Sequence, residues 1–298
     1  MTDKIRLGAI TDEFSEDLEI ALETMHSIGM LGVELRVIAG KNIIELTDDE
    51  IERVRQAVTR RQMTVVSIAS PLLKCVPPGE LELDHRVGHD VFGSAYTLAD
   101  QPRLTARAFD VAQRLGAGII RVFSYWRTVD PARCRERVGA ALLDLAATAR
   151  SRGLLIGLEN EHACNVGTAH EARAILDMVD HPALKLIWDP ANALILGERP
   201  YPDGYAQLPA GRIVHVHAKD CDVENFTPTW GPLGQMSVNW TGQIHGLVRD
   251  GYTGWINLET HWRGPTGDRR QASLICAASL RQMLTAELRG PRTASMAQ

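Results

Sequence analysis

Two histidines and a lysine alternate in the stretch RIVHVHAKD, residues 212–220, whose β-branched residues predict a strand. Alternate side chains of a strand share one face, so His215, His217 and Lys219 point the same way. On a buried face, two imidazoles and an ammonium are costly without partners. The pattern therefore predicts that polar groups from elsewhere in the chain meet this strand.

Three other strand-like stretches end in an acid: LLIGLE ends in Glu159, LKLIWD in Asp189 and WINLE in Glu259. If these strands are parallel neighbours, the three carboxylates and His217 converge at one edge. Carboxylates held together repel and become protonated unless a cation supplies charge. Three oxygens and one imidazole predict one divalent ion, with Mn²⁺ favoured and Mg²⁺, Co²⁺ or Zn²⁺ as alternatives. Taken singly, each residue could instead be a solvated carboxylate or a hydrogen-bonded core histidine.

Strand and helix patterns alternate along the chain. The strand predictions are residues 5–10, 32–37, 64–69, 118–123, 154–159, 184–189, 212–217 and 255–259. The helix predictions are residues 17–28, 48–61, 103–115, 131–151, 168–179, 237–249 and 268–288, and 201–211 could be a short helix or a turn. Eight such units predict parallel strands, right-handed crossovers and a single (β/α)₈ barrel over residues 1–289, followed by a frayed tail, 290–298. A doubly wound sheet is disfavoured because the first strand is followed by TDEF rather than a glycine-rich loop.

The overall composition narrows the class of protein. The net charge of -5 argues against a nucleic-acid partner. The five cysteines form no CxxC pair, which is typical of free thiols in a reducing compartment. The sequence contains no apolar run of about 18 residues and no signal-peptide pattern, so we predict a cytoplasmic protein without a membrane partner.

Two loops are longer than a barrel requires, residues 71–101 and 220–237. Both follow the carboxyl ends of strands, where barrel enzymes build their active sites. Long loops in a compact domain are often lids or binding segments. We therefore expect them to determine substrate specificity.

Eight pieces of the chain resemble the xylose isomerase-like TIM-barrel superfamily of sugar isomerases and epimerases: ITDEFSEDLE, GVELR, SIASPLLK, LENEHACNVGT, WDPANALILGE, VHVHAKD, GPLGQMSVNW and GYTGWINLETHW. The resemblance implies that the metal ligands are Glu159, Asp189, His217 and Glu259. It thus selects His217 over His215, which lies one layer deeper as a core or supporting residue. It also places Asn192 and Lys219 beside the substrate.

Further pocket candidates follow from the same resemblance. Glu34 and Arg36 in GVELR share strand parity and are expected to point toward the barrel mouth, where Arg36 could bind a hydroxyl or a carboxylate. An internal ion pair is the alternative for both residues. His162 and Trp126 are additional substrate-binding candidates, and His261 could support Glu259.

The resemblance implies a metal-dependent isomerase or epimerase that acts on a sugar or polyol derivative. Glu159 and Glu259 would exchange the proton next to a carbonyl, and the protein could form a dimer or tetramer. An alternative is a lyase of the inosose dehydratase kind, with Lys219 as the acid at the leaving hydroxyl. A non-catalytic sugar-binding barrel ranks third. An abasic-site endonuclease ranks last, because residues 67–71 and 122–126 lack the additional histidines of that branch.

Overall fold

The protein, seen here as a computed structural model, is described over residues 5–79, 81–88, 95–209 and 211–290. Eight parallel strands form a closed barrel, which confirms the predicted (β/α)₈ fold. The strands are β1 (Arg6–Ile10), β2 (Gly32–Leu35), β3 (Thr64–Leu72), β4 (Ile119–Val122), β5 (Leu155–Glu159), β6 (Leu184–Trp188), β7 (Ile213–Ala218) and β8 (Trp255–Leu258).

One helix follows each strand. The helices are α1 (Leu18–Ser27), α2 (Asp48–Arg60), α3 (Gln101–Leu115), α4 (Pro131–Ser151), α5 (Ala169–Val179), α6 (Pro190–Ile195), α7 (Trp240–Arg249) and α8 (Arg269–Arg289). Helix α6 was not predicted, and α7 begins three residues later than expected. An irregular turn (Pro200–Gly204) and a one-turn helix (Tyr205–Gln207) occupy the segment expected to be a helix or a turn. Of the predicted tail, only Gly290 lies within the described residues.

Local capping explains where several helices begin. Thr47 Oγ1 accepts a hydrogen bond from Glu50 N at 3.3 Å, and Glu50 Oε2 accepts one from Thr47 N at 2.7 Å. This is the capping box expected from the sequence before α2. Thr168 and Glu171 form the same reciprocal pair at the start of α5.

The barrel closes between its first and last strands. β1 pairs in parallel with β8 from Arg6 opposite Trp255 to Ala9 opposite Leu258, and with β2 on its other side. A Cβ on Gly8 would lie only 2.3 Å from Asn257 Oδ1, so glycine is required at this point of closure. The space that Gly8 leaves is filled by a polar side chain of the barrel interior.

Side chains alternate between the barrel interior and the helices. Leu158, Leu186, Val216 and Leu258 face the helices and belong to the main apolar core, where each is fully buried. Burial of a leucine or valine side chain contributes about 1.5–3 kcal/mol. The interior positions carry polar groups instead toward the carboxyl ends of the strands. A separate small apolar cluster consists of Val66, Ile119, Ile187 and Trp255.

The loops after β7 and β2 contain structure that the sequence patterns did not predict. Residues Cys221–Glu224 and Thr227–Trp230 form an antiparallel hairpin after β7, and Val37–Ile38 pairs with Lys41–Asn42 after β2. Residues 80 and 89–94 of the predicted loop 71–101 lie outside the described residues. Among the described residues, no helix combines the length and the apolar character that crossing a membrane would require.

Candidate metal and substrate site

Four potential ligands meet at the carboxyl ends of the last four strands. Glu159 ends β5, Asp189 follows β6, His217 lies near the end of β7, and Glu259 follows β8. All four are buried, and their ligand atoms lie within 4.8 Å of one another. The structure thus brings together the four residues that the sequence patterns selected.

The imidazole of His217 has two distinct sides. Its Nδ1 lies 3.2 Å from Glu159 Oε1 and 3.4 Å from Glu259 Oε2. Its Nε2 lies 3.0 Å from Glu34 Oε2. A carboxylate that accepts the Nε2 proton fixes the tautomer with a lone pair on Nδ1, which is the usual support for a metal-ligating histidine.

Glu34 lies beneath this group rather than at the mouth, which corrects the expected orientation. The side chain is fully buried and accepts hydrogen bonds from Ser67, His215, His217 and Asn257. Glu34 precedes Arg36 by two residues and so lies one interior layer deeper in the barrel, level with Ser67 of β3. Glu34 therefore contacts His217 from inside the barrel.

Arg36 follows β2 and lies in a cage of acids. Its guanidinium contacts Asp12 Oδ2 at 2.8 Å, Glu13 Oε1 at 2.6 Å and Glu259 Oε1 at 2.7 Å, and it is 3% exposed. The internal ion pair, given as the alternative for Arg36, is therefore present. Its contact with Glu259 fixes one oxygen of that carboxylate.

Lys219 meets two of the four candidate ligands. Its Nζ lies 2.9 Å from Asp189 Oδ2 and 2.9 Å from Glu259 Oε2. The neighbouring Asp220 makes a different set of contacts, since its carboxylate accepts backbone N–H groups of the following loop. Lys219 thus meets inner carboxylates as well as lining the cavity.

The donor set and the charge balance fit a divalent cation. Six buried acids lie around the barrel mouth and a seventh, Glu34, lies beneath them; the six are Asp12, Glu13, Glu159, Glu161, Asp189 and Glu259. The buried lysines and arginines there are four: Arg36, Lys74, Arg121 and Lys219. Within the described residues, Glu159 Oε2 and Asp189 Oδ2 lack a hydrogen-bond donor in good geometry. Arg121 at 3.3 Å and Lys219 at 2.9 Å are close to these oxygens but poorly aligned with them. Two buried, under-satisfied oxygens suit a cation that accepts oxygen ligands.

The pKa values of the acids diverge. Burial, together with Glu259 and Glu159, raises the pKa of Asp189 to about 7, although Lys219 opposes the shift. Burial also acts to raise the pKa of Glu259, but Lys219, His261 and nearby cations outweigh it and hold that pKa well below its usual value. Near neutral pH the site therefore holds an ionised Glu259 beside Asp189, whose carboxyl group interconverts between its protonated and ionised forms.

A cavity of about 220 Å³ opens above this group. Its lining residues are Lys74, Arg121, Phe123, Glu161, His162, Lys219, Trp230, Glu259, His261 and Arg263. Its volume is below the roughly 300–1,000 Å³ of pockets for drug-sized ligands, so it suits a small molecule. Most of the lining is polar or charged, as recognition of a polyhydroxylated ligand requires.

Asn192 and His162 form one unit at the wall of this cavity. Asn192 Nδ2 donates to the carbonyl oxygen of Asn160 at 2.9 Å, so its Oδ1 is the acceptor for His162 Nδ1 at 2.9 Å. The proton of His162 therefore lies on Nδ1, and Nε2 retains a lone pair. Asn192 therefore affects the cavity indirectly, by orienting His162.

Trp126 lies behind the cavity wall, with its ring 5.6 Å from Lys74 Nζ, while Phe123 supplies the aromatic face of the cavity. The sequence patterns did not select Lys74, Arg121 or Glu161. The interior parity of Arg121 in the predicted strand GIIRVF was a usable signal for that residue. Lys74 and Glu161 lie in loops whose path no strand pattern specifies.

Comparisons with known proteins agree with this architecture. The profile of the family described as xylose isomerase-like TIM barrel matches residues 22–281. A comparison with curated protein sequences gave no match. Three solved structures illustrate the similarity, each below 20% identity, so that they speak to the fold alone.

A structure described as the IOLI protein with a bound zinc atom has a TM-score of 0.75 at 16% identity, covering 94% of this chain and 98% of its own. A D-allulose 3-epimerase from Methylomonas sp. has a TM-score of 0.69 at 18% identity, covering 94% and 98%. The probable 3-DHS dehydratase AsbF from Bacillus anthracis has a TM-score of 0.70 at 18% identity, covering 95% and 99%.

The fold and the grouped acids and histidine define a single-domain (β/α)₈ barrel with a candidate metal centre at the carboxyl ends of its strands. The chain belongs to the xylose isomerase-like TIM barrel family.

Proposed function

We propose that this protein is a divalent-metal-dependent isomerase or epimerase of a small sugar or sugar derivative. The observation that carries the proposal is the convergence of Glu159, Asp189, His217 and Glu259 within 4.8 Å beside a small polar cavity. When bound, the cation supplies a Lewis acid that lowers the energy of the enediolate formed by proton loss next to a carbonyl. The IOLI structure, which shares the fold, is described with a bound zinc atom, and this supports metal binding by the present protein. Mn²⁺ remains our first choice from the donor set.

Glu159 and Glu259 are the proposed proton-transfer pair. They come from β5 and β8, and both approach His217 Nδ1, at 3.2 Å and 3.4 Å. Glu259 is held ionised by Lys219 and Arg36, so it can accept a proton at neutral pH. The second carboxylate returns a proton to the opposite face or to the adjacent carbon. Proton transfer of this kind contributes about 10²–10⁴ in rate.

The cavity wall would orient the hydroxyl groups of the substrate. His162 offers a lone pair on Nε2, because Asn192 holds the proton on Nδ1. Glu161 is an acceptor, since burial raises its pKa less than Lys74 and other cations lower it, to about 2. Together they provide hydrogen-bond acceptors in the lining of the cavity.

A dehydratase that acts on a keto-polyol is the second candidate. It shares the first proton abstraction and then requires an acid at the departing hydroxyl. Lys219 lines the cavity, and its ammonium lies 2.9 Å from Glu259 Oε2, so an acid is present next to the base. The structural likeness to a probable 3-DHS dehydratase keeps this candidate open.

Incubation with Mn²⁺ in D₂O separates the two reactions. A panel of ketoses and keto-polyols is followed by NMR and mass spectrometry. An isomerase or epimerase incorporates solvent deuterium and gives a product of otherwise unchanged composition, whereas a dehydratase product loses water.

Two variants, Asp189→Asn and Glu159→Gln, test the site itself. Each is expected to lose bound Mn²⁺ and at least about 10² in rate. Asp49→Asn, an exposed carboxylate on α2, is the control and should behave as the unmodified protein. Failure of the unmodified protein to bind any divalent cation would overturn the proposal.

A further inference from the structure

Lys219 occupies the two oxygens that a cation at the candidate metal site would need. Asp189 Oδ1 caps α6, where it accepts hydrogen bonds from Ala191 N at 2.9 Å and Asn192 N at 3.1 Å. Only Asp189 Oδ2 remains for a metal, and Lys219 Nζ lies 2.9 Å from it.

The same holds for Glu259. Its Oε1 is bound by Arg36 NH1 at 2.7 Å, which leaves Oε2 to face His217 Nδ1 at 3.4 Å. Lys219 Nζ lies 2.9 Å from this Oε2 as well. One ammonium therefore bridges the free oxygens of two candidate ligands.

We propose that Lys219 is an internal counter-ion that a divalent cation must displace, and that displacement delivers its ammonium to the substrate cavity. This inference rests on the proposed metal site. With no metal bound, the bridge offsets the repulsion between two buried carboxylates, whose isolation would be strongly unfavourable. A cation at the same oxygens repels an ammonium held at hydrogen-bond distance from both of them.

The ammonium of Lys219 already lies over the indole ring of Trp230, so it can move away from the two carboxylates along the cavity while keeping this contact. The ring centroid of Trp230 lies 5.6 Å from Lys219 Nζ, and both residues line the cavity. An ammonium over an indole face is stabilised by the ring quadrupole. The backbone of Lys219 is fixed, because its carbonyl oxygen accepts a hydrogen bond from Trp240 Nε1 at 3.0 Å, so only the side chain needs to move. Lys219 would then meet a substrate oxygen only in the metal-loaded protein.

Metal titration of Lys219→Met is the first test. Methionine keeps an unbranched stem but removes the charge, so Mn²⁺ should bind at least about tenfold more tightly than to the unmodified protein. The metal-free variant should melt at a lower temperature and gain more from Mn²⁺. Lys219→Arg retains the positive charge and should keep an affinity close to that of the unmodified protein. Lys74→Met, which removes a cation from the same cavity where its Nζ lies over Phe123, should change the affinity much less.

Lysine labelling by a small acylating reagent, read by peptide mass spectrometry, is the second test. It requires no variant. The side chain of Lys219 is 2% exposed and should be protected without metal, then react faster once Mn²⁺ is added. Lys41, whose side chain is 51% exposed, is the internal reference and should not respond.

The outcomes separate this inference from the proposed function. If the unmodified protein binds Mn²⁺ but Lys219→Met binds it no more tightly, or if Lys219 stays protected in the loaded protein, the displacement is wrong and the metal site stands. If neither the unmodified protein nor any Lys219 variant binds a divalent cation, both proposals fall.

Discussion

At the scale of single residues, Glu34 shows how a buried acid that is not a candidate metal ligand can fix the tautomer of one that is, His217. It receives hydrogen bonds from Ser67 Oγ at 2.7 Å, His215 Nε2 at 2.9 Å and Asn257 Nδ2 at 3.2 Å, besides His217. Burial opposes its ionisation, but His217 and His215 hold the pKa of Glu34 well below its usual value. An ionised Glu34 can accept only, so His217 must donate from Nε2 and present Nδ1 to the candidate ligands.

Glu34→Gln should weaken Mn²⁺ binding by about 10–100-fold, because the amide no longer enforces the His217 tautomer. Isothermal titration calorimetry measures the change. Glu23→Gln, on the exposed side of α1, is the matched control. An unchanged affinity in Glu34→Gln would show that His217 is oriented by packing alone.

At the scale of elements, one asparagine joins the loops after β4 and β5. Asn165 Oδ1 accepts from Thr128 N at 3.0 Å and Thr128 Oγ1 at 2.8 Å, while its Nδ2 donates to the carbonyl oxygens of Ser124 at 3.0 Å and Trp126 at 2.9 Å. All these groups are buried. The wall that carries Phe123 is therefore held by side-chain hydrogen bonds of Asn165 in addition to its backbone hydrogen bonds.

Asn165→Ala should lower the free energy of unfolding by about 2–4 kcal/mol, because it leaves several buried backbone groups without a hydrogen-bond partner. Urea unfolding followed by circular dichroism measures the loss. Thr128→Val removes one hydroxyl from the same cluster and should cost about 1 kcal/mol. A loss in Asn165→Ala no larger than that in Thr128→Val would contradict the role assigned to the asparagine.

The elements also mark what a sequence pattern can predict. All eight barrel strands were found because their β-branched runs are buried and nearly continuous. Helix α6 was missed, since its six residues make fewer than two turns and carry no periodic signal, although Asp189 and Pro190 form a capping pattern. The hairpin after β7 turns at Asn225 and Phe226 with positive φ angles of 49° and 63°, where the usual signal would be glycine.

The candidate site was predictable from the sequence only where strand topology determines it. Glu159, Asp189, His217 and Glu259 stand at strand ends, so topology alone brings them together. The partners of Lys219, Arg36 and Glu34 depend on the rotamers of these long side chains. No spacing in the sequence encodes those features.

At the scale of the whole molecule, the candidate site links stability to pH. Burial with neighbouring acids raises the pKa of Asp189 from 3.8 to about 7. For His217, burial acts to lower the pKa, but Glu34, Glu159 and Glu259 outweigh it and raise that pKa well above 6.5. Both groups bind more protons in the folded, metal-free protein than in the unfolded chain, so their contribution is lost as the pH rises through the folded values.

Metal-free protein should therefore melt at a lower temperature at pH 8 than at pH 6.5. Over this pH range, these two groups hold more protons in the folded protein than in the unfolded chain. His215 and His261, whose pKa values are lowered chiefly by burial, oppose the trend near pH 6.5, because the unfolded chain binds protons there that the folded protein does not, but this opposition fades as the pH rises further above 6.5. Saturating Mn²⁺ should remove the trend, since bound ligands have already released their protons. Thermal melts with chelator and with Mn²⁺ test this, and a metal-free melting temperature that rises with pH would contradict it.

The closure of the barrel between β1 and β8 also has a consequence during translation. The four candidate ligands are all encoded between residues 159 and 259, whereas Glu34 and Arg36, which orient two of them, leave the ribosome early. During synthesis, Glu34 and Arg36 therefore emerge well before His217 and Glu259, the candidate ligands that they contact. The full ligand set forms only after β8 has been synthesised. A bound ion can therefore stabilise the finished protein but cannot assist the folding of its first half.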